Sequence, residues 1–227
     1  MQTTYGQFCP VAKASEVIAE RWTPLIVREI ALGSHRFNDL ERGLPRISRS
    51  LLSSRLRQLQ RAGVIERKQE VGSQRVGYYL TKAGQELEPI ITQLGVWGQR
   101  WVNRDIGPDD LDPLLLTWDM RRRIYRERLP QRRVCVQFDF TGAHRESIWM
   151  LLEPADVTVC LTDPGFDLDL LITADTVALH RVWIGRLDFG SAIRDGLIRL
   201  QGARDVVRGF PRWLALSSYA SIPSAQE

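Results

Sequence analysis

The sequence predicts an α+β fold in two parts, and three observations lead to this prediction. In the first part, apolar residues recur with helical spacing and are interrupted by a single hairpin pattern. In the second part, short stretches alternate apolar and polar residues as half-buried strands do, with helical patterns before and after them. Between the parts, NRDIGPDDLDP at residues 103–113 has the Gly, Pro and Asp content of a domain boundary. We therefore expect one domain over residues 1–104 and another over residues 113–222.

The first domain is predicted to begin with three short helices and a longer fourth helix. The short helices are expected at Val11–Glu20, Thr23–Leu32 and Arg36–Arg42. Thr23 and Pro24 suit the first positions of the second helix, and Gly33 suits its end. Ser48 is suited to cap the fourth helix, which we expect to run to about Ala62.

The fourth helix has two chemically different faces. One is an apolar stripe made by Leu52, Leu56 and Leu59. The other is a polar stripe made by Ser50, Ser53, Ser54 and Arg57, with Arg49 beside it in the first turn. A helix that enters the major groove of DNA needs an apolar back that docks on its domain. It also needs short polar or Arg side chains at its exposed N-terminal turns, and this helix meets both needs.

Two strands joined by a basic turn follow the fourth helix. The strands are expected at Val64–Lys68 and Val76–Leu80, and Gly72-Ser73 suits the turn between them. Three short helices, a polar-faced helix and a basic hairpin, in this order, are typical of a winged helix-turn-helix domain. The alternative is that an Arg-rich helix face is merely solvated, and that alternative leaves the order of the elements unexplained.

The candidate DNA contacts lie on the fourth helix, just before it and on the hairpin. Arg suits bidentate reading of guanine, Ser can contact bases or phosphates, and the hairpin can reach the flanking backbone or minor groove. Arg46 and Arg55 are candidate phosphate anchors. The complete set is Arg46, Ser48, Arg49, Ser50, Ser53, Ser54, Arg55, Arg57, Arg67, Lys68 and Arg75.

The charge distribution agrees with a polyanion partner for the first half alone. The chain has 31 basic and 27 acidic residues, a net charge of +4. Residues 1–104 hold 16 basic and 9 acidic residues, a net charge of +7, and the remainder hold 15 and 18, a net charge of −3. Residues 42–75 alone hold 9 basic and 2 acidic residues. Double-stranded DNA is therefore the expected partner of the first half.

Four segments of the first half carry a family resemblance: CPVAKASEVIAERW (Cys9–Trp22), RFNDLERGLPRIS (Arg36–Ser48), LLSSRLRQLQRAGVIER (Leu51–Arg67) and YYLTKAGQEL (Tyr78–Leu87). In this order and spacing, residues 9–102 closely resemble the HxlR-type transcriptional regulators, a winged-helix group related to the MarR regulators. The resemblance implies a cytoplasmic, nucleoid-associated regulator, such as a repressor, that binds DNA as a homodimer. A two-fold dimer would place its recognition helices about 34 Å apart on an inverted-repeat operator.

A long helix capped by Thr81 is expected to reach about Asn103. Its apolar residues recur at alternating spacings of three and four, as in a narrow seam that packs on another helix. These residues are Leu87, Ile90, Leu94, Trp97 and Trp101. The resemblance assigns the seam to the dimer, and the alternative is packing within one chain.

The chain has three cysteines, Cys9, Cys135 and Cys160, which are odd in number and far apart. This pattern argues against a disulfide framework and a Cys-x-x-Cys zinc site, and it fits a reducing cytoplasm. Some members of the resembled family sense electrophiles or oxidants with a cysteine at the position of Cys9, and the start of a helix stabilises a thiolate. The alternative for Cys9 is a buried side chain that packs as a small apolar residue.

The second half is predicted to form an antiparallel sheet with helices packed over one face. The expected helices are Pro113–Leu129, Thr176–Trp183, Ser191–Gly196 and Ala203–Ala220. The expected strands are Arg133–Thr141, Glu146–Leu152, Val157–Thr162, Leu168–Thr173 and Ile198–Gln201.

Segments near the end of the chain resemble the sterol-carrier-protein-like domain: Leu170–Asp175, Ser191–Gly196, Ile198–Gly202 and Val206–Leu216. That resemblance implies a cavity between sheet and helices for an acyl chain or another apolar ligand. The candidate ligand-binding residues are Val136, Phe138, Phe140, Trp149, Leu151, Leu170, Ile172, Trp183, Ile193, Phe210 and Trp213. The alternatives are that these side chains fill a solid core, as sheet-facing apolar residues usually do, or that the domain enlarges the dimer interface.

Several classes of function are not expected. The sequence has no G-x-S-x-G elbow, no Gly-rich phosphate loop and no His in metal-ligand spacing, so no enzymatic activity, catalytic residue, metal or cofactor is expected. No apolar run approaches the roughly 18–20 residues of a membrane span, and no secretory signal is expected. The expected function is sequence-specific transcriptional regulation, with an apolar small molecule as a candidate effector. The alternative is a lipid or small-molecule carrier with an accessory, non-specific DNA-binding module.

Overall fold

The computed structural model of the chain describes residues 4–69, 75–102, 107, 110–223 and 225. The chain forms two compact units, Met1–Gly95 and Val96–Glu227, and each has its own apolar core. Most of the predicted linker, and the predicted Gly72-Ser73 turn, lie outside the described residues. The elements below confirm the predicted mixture of helices and strands in both halves of the chain.

Among the described residues, the first unit contains four helices, the larger part of a fifth helix and one hairpin. The helices are α1 (Pro10–Ile18), α2 (Thr23–Ala31), α3 (Phe37–Gly43), α4 (Arg49–Arg61) and α5 (Lys82–Trp101). Strands β1 (Ile65–Gln69) and β2 (Val76–Leu80) pair antiparallel between α4 and α5. Helices α3 and α4 form a helix-turn-helix and the hairpin forms a wing, which confirms the predicted winged helix-turn-helix domain.

Helix α4 docks on the first unit through its leucine stripe. Leu52, Leu56 and Leu59 are at most 2% exposed, and they share one apolar core with Ile26 of α2 and Leu40 of α3. Burying a leucine side chain contributes roughly 1.5–3 kcal/mol. The predicted apolar stripe is confirmed, and its burial turns the opposite face of α4 outward.

The start of α5 is joined to the end of α4 and to the wing through Thr81. The Thr81 hydroxyl donates to the carbonyl of Gly63 at 2.6 Å and accepts the N–H of Gly84 at 3.2 Å. Gly63 follows α4 with a φ of +69°, a left-handed conformation that favours glycine. A Cβ at Gly84 would lie 2.2 Å from the carbonyl oxygen of Val64, so only glycine lets α5 begin this close to the chain that enters β1.

The second unit combines helices with a five-stranded sheet. Its helices are α6 (Pro113–Arg121), α7 (Thr176–Trp183), α8 (Phe189–Arg194) and α9 (Arg204–Trp213), with a 3-10 turn at Arg126–Arg128. Its strands are β3 (Val134–Thr141), β4 (Ser147–Leu152), β5 (Val157–Cys160), β6 (Leu170–Asp175) and β7 (Ile198–Gly202). Among the described residues there is no helix with the length and apolarity needed to cross a membrane.

The two longest helices predicted for the second half are wrong over their last turns. Helix α6 ends at Arg121 and α9 ends at Trp213, about two turns earlier than predicted. Both end because the segments that follow them pair with each other as extended backbone. The Tyr125 N–H donates to the Trp213 carbonyl at 2.7 Å, and Ile124 lies opposite Leu214 in an antiparallel bridge.

The sheet of the second unit has the strand order β5-β4-β3-β6-β7. Neighbouring strands are antiparallel except β3 and β6, which are parallel, so the predicted antiparallel sheet is wrong at its centre. Strands β5 and β6 run in the same direction, and residues 161–169 carry the chain back between them. Side chains alternate in the same way along parallel and antiparallel strands, so the sequence pattern did not distinguish them.

Candidate nucleic-acid interface

Helix α4 begins at an exposed and capped end. The Ser48 Oγ accepts the N–H of Leu51 at 3.3 Å and lies 3.2 Å from the Ser50 Oγ. Ser48, Arg49 and Ser50 are all exposed. The first turn of a helix offers unpaired N–H groups and a partial positive charge, which favour a phosphate. This end of α4 therefore has the polar, outward-facing character predicted for a recognition helix.

Arg57 extends the exposed polar surface two turns further along α4. Its Nη1 donates to the Ser53 Oγ at 2.8 Å, which orients the guanidinium on the helix. Ser53 and Ser54 are themselves half-buried. A guanidinium has five N–H donors, so Arg57 keeps most of its donors for another partner.

Arg49 joins the two helices of the helix-turn-helix. Its guanidinium pairs with the Glu41 carboxylate of α3 and lies 5.0 Å from the centroid of the Phe37 ring. The Arg49 side chain is nevertheless 65% exposed. A DNA phosphate or base would therefore compete with Glu41 for this guanidinium.

Arg55 departs from its predicted role as a phosphate anchor. Its Nη2 lies 2.6 Å from the Glu20 carboxylate beyond α1, and its Nη1 donates to Gln58 at 2.7 Å. The side chain is only 15% exposed. Since both terminal nitrogens are held inside the domain, Arg55 joins α4 to the end of α1 instead of facing outward. The other candidate anchor, Arg46, is exposed between α3 and α4.

The wing carries its basic residues on β1 and just before β2. The Arg67 guanidinium lies 5.7 Å from the ring centroid of Tyr78, its cross-strand neighbour. Lys68 Nζ lies 2.7 Å from the Glu66 carboxylate. Arg67, Lys68 and Arg75 are all exposed, as contacts to a DNA backbone require.

His35 fixes the wing to the helical part of the domain, and the sequence reasoning missed it. The His35 Nδ1 lies 3.0 Å from the Tyr78 carbonyl oxygen, and the Tyr78 N–H donates to the His35 carbonyl at 2.7 Å. The His35 ring stacks on Tyr79 with the centroids 4.3 Å apart. The partners are more than forty positions apart, so no local pattern predicts the contact.

Helix α5 exposes most of its predicted seam. Ile90, Leu94, Trp97 and Trp101 are each about half exposed and lie on one side of the helix. Leu87, the first residue of the predicted seam, is half-buried and packs against the core of the first unit. The described chain therefore leaves a row of four large apolar side chains uncovered.

Cys9 is the N-cap residue of α1, with Pro10 in the first turn, and it is half-buried. The segment before it is held by Glu16, which accepts bonds from the Thr4 hydroxyl at 2.8 Å and from Lys13 at 3.1 Å. These two bonds lower the pKa of Glu16 below its ordinary value. The position of Cys9 at a helix start agrees with the sequence analysis, and its sensing role stays a prediction.

The other cysteines lie in the sheet of the second unit, and all three are free thiols. Cys135 is buried on β3, and Cys160 is half-buried at the end of β5. Burial, followed by the negative charge of Asp169, raises the pKa of the Cys135 thiol. A buried thiol with a raised pKa is a weak nucleophile, which agrees with a packing role for Cys135.

The structure does not bring all the candidate ligand-binding residues to one side of the sheet. Eight share one apolar core: Val136, Phe138, Phe140, Leu170, Ile172, Trp183, Phe210 and Trp213. Trp149 and Leu151 are half-buried on the opposite face, because side chains alternate along β4 and its buried positions are Ile148 and Met150. Ile193 is exposed on α8. The prediction of a single lining is therefore wrong at Trp149, Leu151 and Ile193.

The first half of the chain matches a known family of transcriptional regulators. The model of the HxlR-like helix-turn-helix matches residues 17–106. The HTH-type transcriptional regulator YvaP of Bacillus subtilis is 35% identical over 100 residues, which make up 43% of this chain and 93% of YvaP. The chain belongs to the HxlR-like helix-turn-helix family.

Other proteins similar to this HxlR-like chain are also named as regulators. The HTH-type transcriptional regulator Rv3095 of Mycobacterium tuberculosis is 42% identical over 99 residues, 43% of this chain and 62% of Rv3095. Among solved structures, the redox regulator HypR in its oxidised form is 35% identical, with a TM-score of 0.38, covering 43% of this chain and 100% of that one. By its family, this chain is a transcriptional regulator of the HxlR type, and the family model matches residues 17–106, which lie in its first half.

Proposed function

We propose that this HxlR-like regulator binds an inverted-repeat operator as a homodimer, with α4 of each protomer in the major groove. The observation that carries the proposal is that α4 buries its leucine stripe and exposes Arg49, Ser50 and Arg57. A bidentate Arg–base contact discriminates against a wrong base by about 1–3 kcal/mol, so a few such contacts suffice for operator preference. The basic residues of the wing supply contacts that position the protein without reading sequence.

The exposed row on α5 supports the homodimer. Four half-exposed apolar side chains on one helix are more than the scattered apolar residues of an ordinary surface. In a two-fold dimer, the same helix of a second copy offers a complementary surface, since each protomer contributes the same patch. Such a dimer would present two recognition helices about one DNA turn apart, which matches an inverted repeat.

Selection of duplexes from a random-sequence library by the full-length protein tests this proposal. We expect enrichment of an inverted repeat whose half-sites lie about 10 base pairs apart, or a multiple of that spacing, centre to centre. Fluorescence anisotropy should then give a Kd of roughly 10⁻⁸ M or lower for the selected duplex at physiological salt. Weak binding without sequence preference would contradict the proposal and would support a carrier protein with an accessory DNA-binding module.

We also propose that an apolar small molecule bound by the second unit controls operator binding. The support is the apolar face of the sheet, which includes Phe138, Phe140 and Ile172. A ligand changes DNA affinity only if it binds one dimer geometry better than another. Native mass spectrometry of the purified protein tests this idea. A co-purifying apolar molecule whose removal changes operator affinity supports control by a ligand, and an empty protein that ignores added fatty acids and sterols contradicts it.

Cys9 is a second candidate point of control. Its support is its position as the half-buried N-cap residue of α1. Treatment of the purified protein with diamide should weaken operator binding, and a Cys9→Ser variant should not respond. Unchanged binding of the treated wild-type protein contradicts sensing and leaves Cys9 as a packing residue.

A further inference from the structure

One helix of the second unit carries a row of arginines. Arg204, Arg208 and Arg212 lie at i, i+4 and i+8 on α9, about 6 Å apart along the helix axis. We call these three residues the arginine row. All three are exposed, and within the described part of the chain none of their guanidinium groups has an ion-pair or hydrogen-bond partner.

The exposed side of α9 has few residues other than these arginines. Its other exposed residues are Asp205 and Pro211, so this side carries three positive charges and one negative charge. The apolar side of α9 is committed to the core, where Val206 and Phe210 are at most 1% exposed. A helix that binds a membrane surface inserts its apolar face into the lipid, and α9 has that face buried in the protein.

More positive charge lies at the C-terminal end of α9. The Arg128 Nη1 donates to the carbonyl of Arg212 at 3.0 Å, which places a fourth guanidinium beside the row. The Arg123 Nε donates to a carbonyl just beyond the helix at 3.0 Å, which adds a fifth. Both side chains are exposed, and Glu127 is the exposed carboxylate next to Arg128 in the sequence. The surface is therefore strongly basic, although the second half of the chain is acidic as a whole.

The arginine row carries an electrostatic cost towards the start of α9, although Arg212 lies in the last turn, where the helix dipole favours a cation. Like charges at i and i+4 repel each other along a helix. Arg204 also lies in the first turn, where the helix dipole disfavours a cation, and Ala203 provides no side-chain cap there. An anionic partner that spans the row would remove both penalties at once.

We propose that the arginine row is a second DNA-contacting surface, which binds backbone phosphates without reading sequence. This inference rests on the proposed function, because the first unit has to bring the DNA to the chain. Once α4 is bound, the covalent connection holds the second unit at a high effective concentration near the flanking duplex. Arg suits this partner because its planar guanidinium donates two parallel hydrogen bonds to one phosphate.

A triple variant and a matched control test the arginine row. The row variant is Arg204→Gln, Arg208→Gln and Arg212→Gln, in which Gln keeps a high helix propensity and removes the charge. The control variant is Arg145→Gln, Arg181→Gln and Arg199→Gln, which removes three exposed arginines from the β3–β4 turn, from α7 and from β7 of the same unit. Both variants and the wild type are full-length and are checked for folding by circular dichroism. Their binding to a selected operator with long flanks is titrated by anisotropy at several salt concentrations.

For the row variant, we expect the slope of log K against log salt to fall by about two to three per chain, since each lost phosphate contact removes about 0.9. We expect the control variant to keep the wild-type slope. An unchanged slope in the row variant, or an equal fall in the control, overturns the proposal. The proposal is also overturned if the row variant keeps the wild-type salt dependence of DNA binding but loses binding to vesicles of phosphatidylcholine and phosphatidylserine. In that case the partner of the row is a membrane. If the wild type enriches no particular sequence, the proposed function fails. The arginine row can still be tested in that case, because the salt dependence of binding can be measured on any duplex.

Discussion

At the scale of single residues, the arginines of α4 differ in the contacts that their side chains make within the protein. Arg57 is exposed and is oriented by one bond to Ser53. Arg55, two positions earlier, is held by Glu20 and Gln58 and has little exposed surface. A contact with DNA needs donors that face outward, so these neighbours have different roles despite their identical chemistry.

We expect Arg57→Ala to weaken operator binding by about 1–3 kcal/mol, since it removes a candidate base contact. Anisotropy titrations on the operator and on a scrambled duplex should show the loss mainly on the operator. Arg57→Lys is the matched control for charge, because Lys keeps the positive charge but not the bidentate geometry. If both variants bind both duplexes as the wild type does, Arg57 is not part of the interface.

We expect Arg55→Ala to lower the free energy of unfolding by about 1 kcal/mol, because it breaks the ion pair with Glu20 at the edge of the core. Urea denaturation measures this loss. The folded variant should bind the operator within about twofold of the wild type, in contrast to Arg57→Ala. A variant with normal stability and weak operator binding would restore Arg55 as a phosphate anchor.

The sequence predicted which types of residue lie at the interface. It predicted less well how exposed each side chain is and what it contacts. Periodicity sufficed to place Arg57 on the polar face of α4, because that information is local. The partner of Arg55 is Glu20, which is far away in the sequence and meets Arg55 only after α1 and α4 have packed. The contact of His35 with Tyr78 also joins residues that are far apart in the sequence, so no helical or strand pattern predicts it.

At the scale of elements, the joint between the wing and α5 is set by a close approach of two backbones. Gly84 lies where the Val64 carbonyl passes over the first turn of α5. We expect Gly84→Ala to destabilise the first unit by about 1–3 kcal/mol, as overpacking of a tight site does. Gly98→Ala is the control in the part of the same helix that belongs to the second unit, because a Cβ there meets nothing within 4 Å. Urea denaturation that finds equal stability for the two variants would contradict this tight contact.

The exposed row on α5 leads to a prediction about assembly. Leu94→Glu places a charge in the middle of the row and should convert the proposed dimer to monomer at micromolar concentration, because a buried unpaired charge is costly. Thr92→Glu adds the same charge at an exposed position on the other side of α5, so it should leave the proposed dimer intact. Analytical ultracentrifugation measures both variants. A Leu94→Glu protein that sediments as a dimer would show that another surface holds the protomers together.

The bounds of an element could be predicted where residues within or next to that element determine them. They could not be predicted where pairing with a distant segment determines them. The cap at Ser48, the leucine period of α4 and the turn glycine Gly63 are all encoded within a few residues of the elements they define. The ends of α6 and α9 depend on each other, because the segments that follow them pair as extended chain. The parallel pairing of β3 with β6 depends on the path of residues 161–169, about which strand alternation carries no information.

At the scale of the whole molecule, net charge conceals the distribution that matters for binding. The second half is acidic overall, yet α9 presents three exposed arginines on one side. A phosphate backbone responds to charges within about a Debye length, roughly 8 Å at physiological salt, and not to the total over a domain. Composition therefore correctly pointed to DNA for the first half and gave no indication of the basic surface on the second.

The two separate cores lead to a prediction about how the whole chain unfolds. The core of the first unit contains Leu52 and Ile65, and that of the second contains Phe138 and Ile172, with no residue in common among those the structure describes. Because cooperative unfolding follows a shared core, we expect calorimetry of the full-length protein to show two transitions.

Two mild variants would assign these transitions. Gly84→Ala should lower only the transition of the first unit, by several degrees. Ile172→Val removes one methyl group from the second core at a cost of about 0.5–1.5 kcal/mol and should lower only the other transition by a few degrees. If either variant lowers both transitions equally, or if a single transition responds to both, the two units unfold as one cooperative body. In that case a ligand that stabilises the second unit would also stabilise the DNA-binding unit, which is the coupling that control by an effector requires.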